Sequence, residues 1–585
     1  MANDLAMRCQ SLEAWDAALA RPGLQVFTTG SASGVNSVHP LLGGMGVVLG
    51  KLFRRSDLDA TPVRHFHLGG AEATRIVDSG GRALVADFWG RYVAFIQTAS
   101  GSTAVLRDRS GTLPCFRIVR EGVSIVFSWL EDALRLLAPA ALPAVNWDAL
   151  LAQLAHGLLG GRETALEGVT EVLAGEWRDL HTDKSTLLWS AVDIALCGTG
   201  HAGEADLGAD EATRQLGRAV RSCTRAWAAC YDTVLLRLSG GVDSSIVLSC
   251  LAPGAVAADV MALNYYSPGS DSDERHYARL SAARVGRDLL EREREGGFKV
   301  DRVLSIARMP APVPYVGWMN ASTDASVAAA YGAPALFTGA GGDPLFYEFP
   351  RWWPAADYLA RNGMNTGFAA AAMDAARLGR LSVWRTALLA FKETLRPDLS
   401  ARSQGGFEGL LAPEVRQGKT SAQRFAHPGL ASATDLPIGK YMQTVSLMHP
   451  LGYYDPFEQA AAPELVNPLL SQPLVELCLR LPTYLLTQGG RGRALARRAF
   501  AADLPSQVIN RRSKGGMEEH IKAVLAANIE TIKGMLLEGQ LSARGLLDRG
   551  KVEELLSGRP TKLIGAVSEI HGLVAVEAWL ARWPR

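Results

Sequence analysis

The sequence predicts an α+β sandwich followed by an α/β parallel-sheet domain with a helical extension. Three observations predict it. Short β-branched or aromatic runs, separated by polar and Gly-containing turns, fill residues 1 to about 190. Strand-like and helix-like runs then alternate, the pattern of a parallel sheet with helices on both faces. Within that stretch, "VLLRLSGGVDSSIVLSCL" at 234–251 joins two apolar runs through two glycines, an Asp and two serines.

The elements follow in order. "VRHFHL", "RYVAFIQ", "TAVLRD", "FRIVR" and "SIVFSWL" read as strands, and "AVNWDALLAQLAHGL" as the clearest helix of this part. "GTGHAGEADLGAD" at 198–210 is small and polar and reads as a linker. Leu216, Val220, Cys223, Trp227 and Cys230 recur at three or four, one face of a helix. The strand "TVLLRL", the quoted turn, the strand "DVMALNYYS", the helix "DERHYARLSAARVGRDL" and the strand-like "APALFTG" follow. From about 355 the pattern is mostly helical. The expected domains are 1–200 and 201–585.

A chain of 585 residues exceeds one small core. Hydrophobic residues at 48% and charged residues at 20% indicate a globular protein. Lys and Arg total 60 against 59 Asp and Glu, which argues against a general nucleic-acid binder. A local basic patch stays open, with "RGRALARR" at 491–498 its best candidate. The seven cysteines are scattered and form no CxxC pair, so neither a zinc site nor a disulfide framework is expected and a reducing cytoplasm fits. The first residues lack the apolar core of a signal peptide, and no apolar run approaches about 18 residues, so no membrane span is expected.

The quoted turn carries the chemistry. A strand running directly into a helix leaves a tight loop at the carboxyl edge of the sheet. Gly240 and Gly241 let backbone N–H groups approach a ligand, and the helix beginning near Ser244 directs its free N–H groups into the same space. With the hydroxyls of Ser239 and Ser244, this makes a cradle for phosphate. Asp243 would repel a lone phosphate, but fits if a divalent cation lies between them. The alternative is an ordinary strand–helix turn with Asp243 as N-cap.

"LSGGVDSS" resembles the PP-loop of ATP pyrophosphatases, which cleave ATP to AMP and pyrophosphate. "FTGAGGDPLF" at 337–346, "NPLLSQPLVELCLRLP" at 467–482 and "LPSQVINRRSKGG" at 504–516 resemble asparagine synthetase segments, in family order. "FWGRYVAFI" at 88–96 and "VLRDRSGTLPCF" at 105–116 resemble the glutaminase domain of the same enzymes. The resemblance implies an N-terminal Ntn-hydrolase-like sandwich and a C-terminal PP-loop synthetase domain.

Two positions depart from that pattern. Glutamine-dependent members carry Cys after the initiator Met; here Ala2 stands there, so no glutaminase activity is expected, and Cys9 is read as an inconsequential thiol. Asparagine synthetases have Glu, and β-lactam synthetases Tyr, where this chain has Ala340. The base for the attacking amine must come from elsewhere, or the amine must arrive largely neutral, as a peptide α-amino group with a pKa near 8 partly does. "DFWGRYVAFI", "RDRSGTLPCF" and "VFSWLEDAL" look most like the lasso-peptide cyclases, relatives of β-lactam synthetase.

The resemblance implies a ligase that uses ATP and Mg²⁺ to adenylate an Asp or Glu side chain of a precursor peptide and close a ring with its N-terminal amine. Asp243 and Asp343 are the implied metal ligands. Leu238, Ser239, Gly240, Gly241 and Ser244 are the implied pyrophosphate-holding residues, and Thr338 and Gly339 the nucleotide-pocket residues. Lys514 is the implied stabiliser of negative charge; a surface Lys in a basic loop is the bland alternative. Arg511 and Arg512 are candidates for holding phosphate or peptide. The aromatic stretches "FYEFPRWWP" and "HPLGYYDPF" are candidate cavity walls. Implied partners are the precursor, a leader-peptide-binding protein and a leader protease, with neither nucleic acid nor membrane. The rivals are a small-molecule or ammonia-dependent amide synthetase, and a noncatalytic ATP-binding scaffold. "GTGHAGEAD" satisfies GxGxxG but lies in the linker, and "PEVRQGKT" at 413–420 is discarded as a P-loop.

Overall fold

A computed structural model describes residues 2–11, 15–29, 37–58, 60–97, 101–137, 142–157, 159–199, 207–270, 273–294, 299–300, 308–312, 318–395, 409–417, 422–448, 462–512, 515–516, 518–557 and 567–583. The chain enters through a helix, Ala2–Gln10, in which Cys9 is buried. Burial, with the nearby Asp132 carboxylate, raises the pKa of the Cys9 thiol, so little thiolate forms.

The N-terminal strands are β1 (Asp16–Arg21), β2 (Leu24–Thr28), β3 (Val38–Pro40), β4 (Gly46–Arg54), β5 (Phe88–Gln97), β6 (Thr103–Arg107), β7 (Phe116–Arg120), β8 (Val123–Phe127), β9 (Val169–Glu171), β10 (Glu176–Asp179) and β11 (Ser185–Leu187). They pair as a β1–β2 hairpin, a six-stranded sheet in the order β11-β10-β6-β5-β4-β3, and a three-stranded sheet in the order β8-β7-β9. Every pairing is antiparallel. Side-chain alternation gives the six-stranded sheet two apolar faces. Val47, Val93, Phe95 and Val105 meet Leu24 and Val26 in one core, while Val48, Leu52, Tyr92, Ala94 and Leu106 join another.

The expected strand "VRHFHL" is instead a loop. The Arg54 guanidinium lies over the Phe66 ring and donates to the His67 carbonyl at 2.8 Å, which takes up a backbone acceptor that strand pairing would need.

The C-terminal strands are β12 (Thr233–Arg237), β13 (Asp259–Tyr266), β14 (Leu289–Glu293), β15 (Ala335–Phe337) and β16 (Glu464–Val466). They form one five-stranded sheet in the order β14-β13-β12-β15-β16, parallel throughout. β12 is central, and the chain winds outward first to one side and then to the other. β12 and β15 therefore flank the topological switch point, where open parallel sheets bind ligands beyond their carboxyl ends. The predicted helix spans Ala209–Ala228 and buries Leu216, Val220, Cys223 and Trp227 as its periodicity requires.

The second core of the six-stranded sheet is shared with the parallel sheet: Leu52, Trp89 and Val192 cluster with Leu216, Trp227, Leu474 and Val475. Buried carboxylates tie the same boundary. Glu464, at the start of β16, accepts from Lys51 at 2.7 Å, Arg91 at 3.0 Å and the Tyr231 hydroxyl at 2.7 Å. Glu476 accepts from Arg55 at 2.8 and 2.7 Å and from Trp189 Nε1 at 2.8 Å. A further core joins Phe116 and Ile118 of β7 to Ile570, Val574 and Trp579 of the helix Val567–Leu580. Among the described residues no helix is long and apolar enough to cross a membrane, and all seven cysteines are free thiols.

Candidate active site at the switch point

β12 continues through residues 238–241 into the helix Val242–Cys250. Leu238 is fully buried; its N–H donates to the Leu263 carbonyl at 2.8 Å and its own carbonyl accepts from Asn264 Nδ2 at 2.7 Å. It therefore anchors the loop rather than presenting a side chain. Gly240 has φ +76°, and a Cβ there would lie 2.9 Å from the Glu274 carbonyl oxygen. The Ser239 and Ser244 hydroxyls are 3.1 Å apart, and the N–H groups of Ser239 and Gly241 donate to Ser244 Oγ and Ser239 Oγ at 3.2 and 3.3 Å.

The loop after β15 is locked against the first one. Thr338 donates its N–H to the Val466 carbonyl at 3.1 Å and its hydroxyl to Asn467 Oδ1 at 2.5 Å, and accepts from the Ala340 N–H at 3.0 Å. A Cβ on Gly339 would fall 2.5 Å from the Ser244 backbone nitrogen, and one on Gly342 would fall 2.4 Å from Asp243 Cγ. The two loops can interlock only because both positions lack side chains. Asp343 lies in the short helix Gly342–Leu345, its side chain half exposed.

Arg493 organises the carboxylates, and the sequence reading missed that role. Its Nε donates to Asp243 Oδ1 at 2.7 Å and one terminal nitrogen to Oδ2 at 2.9 Å. The same terminal nitrogen also donates to Asp343, and the other pairs with Glu348. This buried residue has φ +56°, a left-handed conformation uncommon outside glycine. One guanidinium thus gathers carboxylates from the ends of β12 and β15, a bidentate geometry that Lys cannot reproduce.

The expected metal ligands, Asp243 and Asp343, are therefore both engaged by Arg493. Among the described residues no group of three or more His, Cys, Asp and Glu is placed to hold a metal ion. The donor chemistry of the pair nonetheless suits Mg²⁺: two hard carboxylates meet at one guanidinium nitrogen. A cation held there would take the place of that nitrogen.

A cleft of ≈ 370 Å³ opens over both loops. Arg237, Arg294, Arg493, Arg497, Arg511 and Arg512 line it, a wall suited to polyphosphate. The run "RGRALARR" is thus divided. Arg493 and Arg497 face the cleft, whereas Arg491 donates to the Ile509 carbonyl at 3.0 Å and Arg498 to Asp210 at 2.8 Å. Burial, with Arg491 and Arg493 nearby, holds Arg497 down to about 10. Lys514 lies outside the described residues. Its flanks are tied to one carboxylate: Arg511 pairs with Glu274 at 2.5 Å and lies over the Tyr277 ring, while the Gly515 N–H donates to Glu274 at 2.8 Å.

The aromatic stretches divide as well. Phe346 and Tyr347 are fully buried, and Trp352 and Trp353 pack on the helical core around Ala355 and Phe368, so these aromatics are core. "HPLGYYDPF" lies outside the described residues, as do 200–206 of the expected linker.

Against this geometry, the family model for asparagine synthase matches residues 211–581, more than half of the chain. The chain belongs to the asparagine synthase family. A comparison with curated proteins returns no match. Among solved structures, the chain is similar to a glutamine-dependent NAD+ synthetase from Acinetobacter baumannii, in complex with adenosine diphosphate, at 15% identity and a TM-score of 0.13. That match covers 41% of this chain and 53% of the other, about half its length.

Proposed function

We propose that this family member is a macrolactam synthetase. It adenylates an Asp or Glu side chain of a precursor peptide and closes a ring with the peptide's N-terminal amine, releasing AMP and pyrophosphate, as in lasso-peptide cyclisation. The observation that carries the reading is the cleft itself: interlocked glycine loops, a carboxylate pair at the switch point and a wall of arginines, with Ala340 where asparagine synthetases have Glu and β-lactam synthetases Tyr.

In this reading the loop Ser239–Ser244 and the N-terminus of its helix hold the pyrophosphate portion, and Thr338 and Gly339 border the nucleotide. Mg²⁺ held by Asp243 and Asp343 would neutralise the leaving pyrophosphate. Arg497 spreads positive charge along the phosphates while Arg493 orders the carboxylates, and Lys514 stabilises negative charge during adenylation and acyl transfer. Residues 1–200 form a degenerate glutaminase-like domain and residues 201–585 the synthetase domain. Free thiols at all seven cysteines support a cytoplasmic setting, where a leader-binding protein and a leader protease would supply the peptide.

The test is direct. The protein, ATP and Mg²⁺ are incubated with a pool of synthetic peptides, each carrying a free N-terminal amine and one Asp or Glu. AMP, pyrophosphate and a peptide lighter by one water are expected. ADP with orthophosphate, or no peptide-dependent nucleotide turnover, refutes the reading.

A further inference from the structure

A cavity larger than the active-site cleft lies on another side of the helix Ala494–Ala499. It encloses ≈ 700 Å³ where that helix meets the helix Ala209–Ala228 and residues 58–62 of the N-terminal part. Five arginines line it: Arg214, Arg218, Arg221, Arg225 and Arg498. No Asp, Glu, Lys or His is among its described lining residues. The chain as a whole balances 60 basic against 59 acidic residues, so this concentration of charge is local.

The arginines form a ladder. Arg214, Arg218, Arg221 and Arg225 share one narrow helix face, opposite the buried stripe of Leu216, Val220, Cys223 and Trp227. A charged outer face is ordinarily left to solvent. Here Leu58, Pro62, Ala255 and Ala499 add apolar wall and turn the face into a groove. Its floor has room for a guanidinium. Gly217 sits inside the helix, where glycine is disfavoured. A Cβ there would fall 2.9 Å from Arg221 Nη1 and 3.5 Å from Ala499 Cβ. Arg221 also lies over the Phe500 ring, 4.5 Å from its centroid.

The carboxylates that answer these arginines come from the rim. Arg214 pairs with Glu211, Arg221 with Asp503 at 2.6 Å and Arg498 with Asp210 at 2.8 Å, and Glu211 also attracts Arg218. The Asp210 side chain is 82% exposed and its partner 42%. Surface pairs of this kind contribute little, so they exchange readily for the carboxylates of a ligand. Arg225 meets no carboxylate among the described residues; its Nε donates to the Cys250 carbonyl at 3.4 Å. Positive charge is left in excess.

We infer that the groove binds an acidic stretch of the peptide substrate in extended form, with side chains alternating between the arginine ladder and the apolar wall. That this peptide is the substrate rests on the ligase reading above; the chemistry of the groove does not. Guanidinium forks match carboxylates in bidentate pairs. The outer arginines of the ladder stand about 16 Å apart along the helix, the span of about five extended residues. A free triphosphate is too short to engage the whole ladder. The balanced net charge offers a nucleic acid no wider field to follow.

The experiment measures docking and turnover separately. A peptide of about six alternating Glu and Leu residues, its N-terminus blocked by a fluorophore, is titrated with the full-length protein and followed by anisotropy. It should bind at least about tenfold more tightly than a version with Gln in place of Glu. Arg218→Gln combined with Arg225→Gln should weaken binding of the Glu peptide by about tenfold or more, at an unchanged thermal midpoint that reports folding. The same stretch is then appended as a C-terminal tail to the peptide pool. The Glu tail should lower KM for pyrophosphate exchange about tenfold against the Gln tail, at equal kcat. The double variant should erase that difference while keeping exchange with the Gln tail within about threefold of wild type. Equal binding of the two peptides, or full binding by the variant, overturns the inference. So does displacement of the labelled peptide by inorganic triphosphate or a single-stranded oligonucleotide at lower concentration than by unlabelled peptide. Docking without a KM difference removes the substrate as the occupant and overturns it too. A protein that docks the peptide yet exchanges no pyrophosphate with any peptide supports the groove and refutes the ligase reading alone.

Discussion

Replacing Gly342 with Ala tests whether the interlock of the two loops makes the site. The new Cβ would lie 2.4 Å from Asp243 Cγ, 2.7 Å from its Cβ and 2.9 Å from its Oδ1. Relaxed carbon contacts lie at about 3.5–4.0 Å, so the overlap is roughly an ångström. The second loop is held from retreating by the bonds of Thr338 to the Val466 carbonyl and to Asn467 Oδ1. The Asp243 side chain must therefore rotate and break its paired bonds of 2.7 and 2.9 Å to Arg493. Charge-assisted hydrogen bonds contribute about 1.5–3 kcal/mol each, so losing one or both makes roughly 2–4 kcal/mol a reasonable ground-state cost. A displacement of that size near the chemistry slows it about 10²-fold. Peptide-dependent pyrophosphate exchange is the assay. The control is Gly534→Ala, on the helix Ile529–Glu538, where an added Cβ meets nothing within 4 Å. Exchange in Gly342→Ala within threefold of the control would refute the interlock.

Gly534→Ala itself should raise stability by about 0.5–1 kcal/mol, read as a rise in thermal midpoint, because alanine loses less backbone entropy in a helix. Arg493→Lys should lose pyrophosphate exchange by more than about 10²-fold, since one ammonium cannot span Asp243, Asp343 and Glu348; retention of exchange would contradict the bridging role. Burial raises the Glu464 pKa, but Arg91, Lys51 and the Tyr231 hydroxyl outweigh it and hold the group below its ordinary value. A depressed carboxylate stabilises above its unfolded pKa, and that stability is lost as pH falls through the folded one. Glu464→Gln should therefore lower the thermal midpoint at pH 7 and flatten the acid limb of the stability profile; an unchanged acid limb would contradict the assignment.

The central turn was legible because its chemistry is local. Gly240, Gly241, Asp243 and Ser244 fall within one strand–helix junction, and β12, β13 and β15 announce themselves as apolar runs. The sheet's edges were not. β14, "LLERE", ends in charged residues because it has a neighbour on one side only; no strand is predicted there, and only its first residue, Leu289, falls within the predicted helix. β16 is three residues inside an otherwise helical region, held through its pairing with β15. Arg493 was read only as part of a basic run. Its partners are 250 and 150 residues away in sequence, so no local pattern points to them. The one available hint was Gly492 beside it, a glycine that makes sense only once Glu348 is in place. Lys514 stays a proposal carried by its surrounding string.

The helix Val567–Leu580 completes the core beneath β7, more than four hundred residues upstream. During synthesis the three-stranded sheet must wait, its apolar face only partly covered by the helices around Leu134 and Leu150, until Leu580 has left the ribosome. Closing so long a loop is slow and exposes sticky surface in the meantime. A free chain truncated after residue 560 should therefore be captured by holdase chaperones through its β7–β9 sheet, whereas one that runs through residue 583 should be released.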